Sequence, residues 1–258
     1  MHVREIEDVP LGASLSDRVR ALILGSLLGD GSLRLEKPYR NARFTVRHAI
    51  TQREYFMWKV RELHVIASPG SVHVQAASGF VGSKEKLHFQ SRALEALTEI
   101  YRRTYDHGKL RIRRKWLNLL TPLSLAVWWC DDGSLIGNTR RGVLCTDGFD
   151  EEEVKVLAQY LEVVWGVRAH VGAAGRTGRR AHYPRIWIRS TVELKKFLSI
   201  IAPHIPVPSM LPKVIMLYRD PKLQQRWISE LERVTPFAPS VIRRYCEEKR
   251  ARWKRFRK

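Results

Sequence analysis

Cysteine is scarce in this sequence: three residues among 258, Cys130, Cys145 and Cys246. None is spaced as a Cys-x-x-Cys pair and one would be left over, so neither a disulfide scaffold nor a zinc site is indicated. Long apolar runs are missing as well. No run reaches the roughly 18 residues that a membrane-spanning helix needs, and the N-terminus, with Glu5, Glu7 and Asp8, lacks the layout of a signal peptide. These absences predict a soluble, intracellular protein in a reducing compartment, with cytoplasm, nucleoid and organelle matrix all open. Acidic residues are the third shortage, 26 against 46 Lys and Arg, which leaves a net charge of +20. The excess is spread along the whole chain, and a polyanion, nucleic acid by default, is the partner such a balance favours. Arginine outnumbers lysine roughly two to one, which favours a GC-rich bacterial, archaeal or viral source over an AT-rich organelle.

What is present begins with a duplication. Leu22 to Leu33 is an apolar run that closes on Asp30-Gly31-Ser32-Leu33, and Ser124 to Leu135 is a second one that closes on Asp132-Gly133-Ser134-Leu135. Each is long enough for about three helical turns with few polar interruptions, so each predicts a helix buried on most sides. Gly31 and Gly133 are expected to end these helices in the left-handed conformation. Asp30 and Asp132 then sit at helix C-termini, where the macrodipole disfavours negative charge and a cation is wanted.

The intervening pattern repeats too. Ser16-Asp17 predicts the first helix cap. Strands follow at 32–36 and 42–49, a helix opens at the Thr51-x-x-Glu54 box and runs to about Ile66, and strands at 71–76 and 84–90 lead to a helix at 91–104. The second half replays this with strands at 135–138 and 142–146, the Asp150-x-x-Glu153 box opening a helix to about Trp165, strands at 167–171 and 183–189, and a serine-started helix. Val72 and Val74 are expected to pack while their neighbours face out. The unit is αββαββα, twice, an α+β architecture. Past it, 220–233 and 241–258 read as an amphipathic and a basic helix, the latter ending in Trp253-Lys254-Arg255-Phe256-Arg257-Lys258, which suits nucleic-acid contact.

The two apolar segments resemble the paired motifs of the LAGLIDADG homing endonucleases, in the single-chain form with two pseudo-symmetric halves. The halves are 1–104 and 121–218, with a basic connector at 105–120 and a basic helical extension at 219–258. The resemblance implies that the motif helices pair at the interface, that antiparallel sheets form a DNA-binding saddle, and that Asp30 and Asp132 are the catalytic acids. Gly25 and Gly29 suit close helix approach. The second copy departs, with Val127 and Asp131 in those places, so Asp131 competes with Asp132; the shared Asp-Gly-Ser-Leu register favours Asp132. Asp30, Asp132, Gly29 and Asp131 are the candidate metal ligands, with Mg²⁺ as the ion and Mn²⁺ as its substitute. Each half is implied to cut one strand, leaving short 3′ overhangs.

Lys109 follows Asp30, and Lys213 follows Asp132, at nearly equal distance along the chain. Equivalent places are expected for them, and in the family such positions carry basic active-site residues that stabilise phosphate charge. His48 and Asp147 are weaker candidates, polar ends of strands. Recognition is expected from the strand faces, where Arg reads guanine and Gln reads adenine. These are Arg34, Arg43, Arg47, His73, Gln75, Lys86, His88 and Gln90 in the first half, and Arg140, Arg168, His170, Arg185, Trp187 and Arg189 in the second. Arg176, Arg179 and Arg180 add charge on a loop. The reading is a monomeric, metal-dependent, intron-encoded endonuclease acting on a long asymmetric double-stranded DNA target. Its alternatives are an RNA maturase binding its host intron, and a DNA-binding regulator that has lost cleavage.

Overall fold

The computed structural model describes residues 14–77, 85–136, 140–174 and 183–255. Arg176, Arg179, Arg180, Phe256, Arg257 and Lys258 lie outside the described residues, as do the N-terminal lead-in and the 78–83 loop. The chain divides into two compact units between Arg111 and Ile112.

The first unit runs α1 (Asp17–Leu27), β1 (Gly31–Arg34), β2 (Arg43–Ala49), α2 (Arg53–Glu62), β3 (Val72–Gln75), β4 (Lys86–Gln90) and α3 (Glu95–Thr104), then a small hairpin of β5 (Tyr105–Asp106) and β6 (Lys109–Leu110). Ser16 starts α1 by accepting the Val19 amide at 3.3 Å. Every α1 residue from Ala21 to Leu27 is buried, as a run with Ser26 as its sole polar side chain requires. The strands form an antiparallel sheet in the order β1-β2-β4-β3. Period-two alternation decides its faces: Phe44, Val46, Leu87 and Phe89 are buried toward α2 and α3, while Arg43, Thr45 and Arg47 point the other way.

The second unit starts with α4 (Arg114–Leu117) and continues α5 (Pro122–Asp132), β7 (Gly133–Ile136), β8 (Arg141–Leu144), α6 (Glu151–Trp165), β9 (His170–Ala174), β10 (Tyr183–Ile188) and α7 (Thr191–Ile201). Its sheet has the order β7-β8-β10-β9, so the duplication extends to strand order. Pro122 at the first helical position and a Thr121/Ser124 capping box set the start of α5. The expected Asp150/Glu153 box forms in full on α6. A short 3₁₀ segment, Pro208–Lys213, then leads to α8 (Pro221–Val234), capped by Asp220, and α9 (Pro239–Arg255).

Several expectations need correction. Gly31 and Gly133 do not adopt positive φ: among the described residues the glycines that do are Gly70, Gly108 and Gly166. Gly133 is extended, at φ −80° and ψ 148°. What these sites require is room. A Cβ on Gly133 would lie 2.2 Å from the Trp129 ring and 2.6 Å from the Trp129 carbonyl oxygen, and one on Gly31 would lie 2.7 Å from the Ser26 Cβ. The Thr51-x-x-Glu54 box does not form, because a 3₁₀ turn takes in residues 50–52 and α2 begins after it without a side-chain cap. Ser91 does not start α3. Its hydroxyl accepts the Phe44 amide at 2.8 Å, tying the chain to β2 instead, whereas Ser190 does cap α7. Val72 and Val74 are exposed, at 40% and 54%, because β3 is the outer strand and the helices pack chiefly on β1, β2 and β4.

Candidate functional site

In the first unit Asp30 lies in the turn directly after α1, with its side chain 37% exposed, and the fully buried His48 ring brings Nδ1 to 3.3 Å from its Oδ2. His48 is held edge-on by Tyr55 at 5.2 Å and Phe56 at 6.1 Å. Its position therefore comes from α2 and β2 together, which set the ring beside the Asp30 carboxylate. One turn back on α1, Ser26 accepts a hydrogen bond from the buried Lys59 Nζ at 3.1 Å. This buried cation beneath the acid-bearing helix has no clear signature in the sequence.

The strand registers settle which recognition candidates share a face. Thr45 pairs with Gln90, Arg47 with His88, and His73 with His88; Arg34 pairs with Arg43, and Gln75 with Lys86. Directly paired residues project to the same side, so all eight first-half candidates stand on one face of the sheet. A groove of about 120 Å³ runs along it, lined by Arg34, Arg43, Arg47 and His88 among others. Arg43 lies over the Tyr39 ring at 3.7 Å. His88 Nδ1 and His73 Nε2 are 2.8 Å apart. Burial, then His73, Arg47 and Arg34, push the His88 imidazole down to about 4, so it is neutral where the surrounding arginines are charged.

The second unit is less regular. Asp132 is the last residue of α5 and half-buried; Asp131 is buried. Lys213 Nζ caps this helix end, donating to the carbonyls of Trp129 at 3.3 Å, Cys130 at 2.5 Å and Asp131 at 3.2 Å. It is the cation that the macrodipole argument requires. Lys109 is exposed on the β5–β6 hairpin, so the two lysines occupy different settings, and equal spacing did not make them equivalent. Asp147 forms a two-pronged ion pair with Arg185, at 2.7 and 2.6 Å. Cys145, which sequence reasoning passed over, stands among these groups. Burial raises its thiol, with Arg185, Asp132, Asp147 and Lys213 all acting on it.

His170, Arg185 and Trp187 share one face of the second sheet by register. Trp187 packs on Gly172, whose carbonyl accepts its Nε1 at 2.9 Å. Arg140, Arg168 and Arg189 lie outside the strands. Arg168 lies before β9 rather than on its face: its Nε donates to Glu162 at 3.3 Å and its amide to Glu193 at 2.7 Å. Arg141, opposite Ile136 on β7, joins the outward face instead. The Arg140-Arg141 doublet was the available signal, but parity on the strand was not legible.

The sequence profile of the LAGLIDADG DNA endonuclease family matches residues 20–197, a span that takes in most of α1, all of α5 and both four-stranded sheets. The chain belongs to the LAGLIDADG DNA endonuclease family. Among similar proteins, the Protein RecA of Mycobacterium gastri is 30% identical over 234 residues, covering 82% of this chain and 52% of that one. The Cytochrome b mRNA maturase bI2 of Debaryomyces hansenii is 24% identical over 214 residues, covering 81% and 78%. The chain spans about half the length of most of the RecA relatives it matches, and 29% of the one from Mycobacterium leprae. A solved structure, the homing endonuclease I-WcaI bound to its DNA recognition sequence, superposes with a TM-score of 0.69 at 21% identity, over 80% of this chain and 89% of that one. The LAGLIDADG fold is therefore shared, the mixed helix and antiparallel-sheet architecture included. Among the described residues no helix is long and apolar enough to cross a membrane.

Proposed function

We propose that this LAGLIDADG chain is a monomeric, site-specific endonuclease that hydrolyses both strands of an asymmetric DNA target, each half cutting one strand and leaving short 3′ overhangs. The observation that carries the reading is the repeated placement of an acid at the C-terminal end of a buried helix, each within a unit whose sheet carries cationic and polar side chains on its outer face. A pure binder gains nothing from a carboxylate held where phosphates approach.

A divalent cation fits the donors present. Asp30 and Asp132 are partly exposed carboxylates, hard oxygen ligands, and Mg²⁺ retains much of its water and needs few protein groups. Asp30 with Gly29, and Asp132 with Asp131, would hold it. When bound, the ion lowers the pKa of the attacking water and offsets charge on the departing oxygen. The chain's own residues do the rest. His48 orients the Asp30 carboxylate, Lys213 neutralises the end of α5, and the arginines of the sheet face bind phosphates and read guanine edges. Lys109, exposed on its hairpin, is the cation we assign to phosphate contact in this half.

The test is selection of cleaved sites from a randomised DNA library in Mg²⁺, followed by the wild type, Asp30→Asn and Asp132→Asn on the selected target. Cleavage by the wild type and loss of one strand's cut in each variant is the expected result. Tight binding without cleavage in Mg²⁺ or Mn²⁺ would refute it. A second reading is favoured by the likeness to the cytochrome b mRNA maturase: the chain assists splicing of a host intron RNA. Binding and splicing of intron RNA by the Asp→Asn variants would support it.

A further inference from the structure

The stretch 212–216 has an unusual backbone economy. Val214, Ile215 and Met216 are fully buried, yet from Ile215 to Tyr218 the chain has no regular secondary structure. Five consecutive carbonyls would be orphaned there, at a cost on the order of 1–3 kcal/mol each if left so. A side chain meets every one. The Pro212 and Ile215 carbonyls accept from Lys249 Nζ, at 2.5 and 2.7 Å. Trp129 Nε1 donates to Lys213 at 2.9 Å, Trp227 Nε1 to Val214 at 3.1 Å, and Gln224 Nε2 to Met216 at 3.1 Å. Four of the five contacts, made by three of the four donor side chains, come from α8 and α9, beyond the residues the family profile matches. The second residue of this stretch is Lys213, whose amine caps the acid-bearing end of α5.

We propose that the C-terminal helices are a brace for the second acid, and that Lys249 is a positioning residue acting through Lys213. The basic extension thus works inward on α5. The Lys249 amine is largely enclosed, and burial lowers it to about 7. A neutral amine still carries two hydrogens for its two carbonyls, so the brace holds on both sides of that pH. Misplacement of a catalytic group by an ångström can cost about a hundredfold in rate.

The test of strand selectivity rests on the nuclease reading. A supercoiled plasmid carrying the selected target reports each strand separately. Lys249→Met slows one strand at least tenfold and leaves the other within twofold, so circles nicked always in the same strand accumulate, with DNA affinity unchanged. Trp227→Phe, which removes the donor to Val214 while keeping an aromatic ring in the buried site, does the same to a smaller extent. Equal slowing of both strands, or no change in either, overturns the proposal. If Lys249→Met does not fold, Trp227→Phe decides by the same criterion. Absence of cleavage by the wild type would sink the nuclease reading but not the brace, which is then read by amide hydrogen exchange. Amides 130–133 exchange at least tenfold faster in the variant with those of α1 unchanged; unaltered exchange at 130–133 overturns it.

Discussion

Gly133→Ala is the sharpest probe of how the second acid-bearing helix is closed. The added methyl would sit 2.2 and 2.3 Å from two carbons of the Trp129 ring and 2.6 Å from the Trp129 carbonyl oxygen, all inside van der Waals contact. The ring cannot swing away cheaply, because it is fully buried against Phe197 at 5.3 Å and its Nε1 holds the Lys213 carbonyl. The carbonyl cannot move without loosening the Lys213 cap that it shares. Overpacking of this kind costs typically 1–3 kcal/mol, and with both ring and backbone blocked the upper end, about 3 kcal/mol, is expected. At roughly 2–4 °C per kcal/mol for a chain of this size, the melting temperature falls by about 6–12 °C. Gly31→Ala should cost less because its contacts are longer, the Ser26 Cβ at 2.7 Å and the Phe44 ring edge at 2.9 Å, although the Ser26 Cβ can move only with its backbone. Gly148→Ala is the control, with nothing within 4 Å of its added carbon. Calorimetric melting of the three variants decides. If Gly133→Ala melts with the wild type, or Gly148→Ala loses as much, the steric argument is wrong.

Three further outcomes are expected. Glu153→Ala removes the partners of two backbone amides, Ile112 at 3.0 Å and Asp150 at 3.2 Å, and costs about 2 kcal/mol or more; a lower urea midpoint at unchanged slope checks it. His88 is held neutral by burial and by His73, Arg47 and Arg34, its folded value about 4 against an ordinary 6.5. Between those values the unfolded chain binds more protons, so stability is fully present above pH 6.5 and is lost as pH falls through 4; His88→Gln should flatten that part of the stability profile. Asp147→Asn releases Arg185 from its ion pair and removes one negative charge, so DNA affinity should rise several-fold at low salt and depend more steeply on salt, as a binding titration at several ionic strengths would show.

The residues that revealed the architecture were those whose signal is local. The repeated Asp-Gly-Ser-Leu ending marked both acid-bearing helices, and the Asp150/Glu153 box and the Arg43-Thr45-Arg47 alternation marked a helix start and a strand face. All three describe what a stretch does on its own. The first sheet's outward face followed because nearly every outward position on its strands is polar, with Arg34, Arg43, Arg47, Lys86, Gln75 and Gln90 among them. The second sheet's did not, for its outward positions include Ile136, Val143 and Trp187, and polarity no longer reports orientation.

Several misses share one cause: a hydrogen-bonding group was claimed by a partner elsewhere in the chain. The strand expected from Val167 begins only at His170, because Gly166 takes the left-handed conformation, Val167 returns its amide to Leu161, and Arg168 gives its amide to Glu193. With those donors spent on a helix end and a carboxylate 25 residues away, no ladder can form there. Ser91 reads as a helix cap until Phe44 is found to need its hydroxyl. Lys213 is the functional instance of the same rule. Its distance from Asp132 along the chain suggested a partner for phosphate, but its amine is already committed to three carbonyls of α5. A lysine so engaged acts on the reaction by fixing where the neighbouring acid stands and by lowering the charge at the helix end. It follows that replacing Lys213 should disturb α5 before it disturbs phosphate binding, whereas replacing the exposed Lys109 should do the reverse.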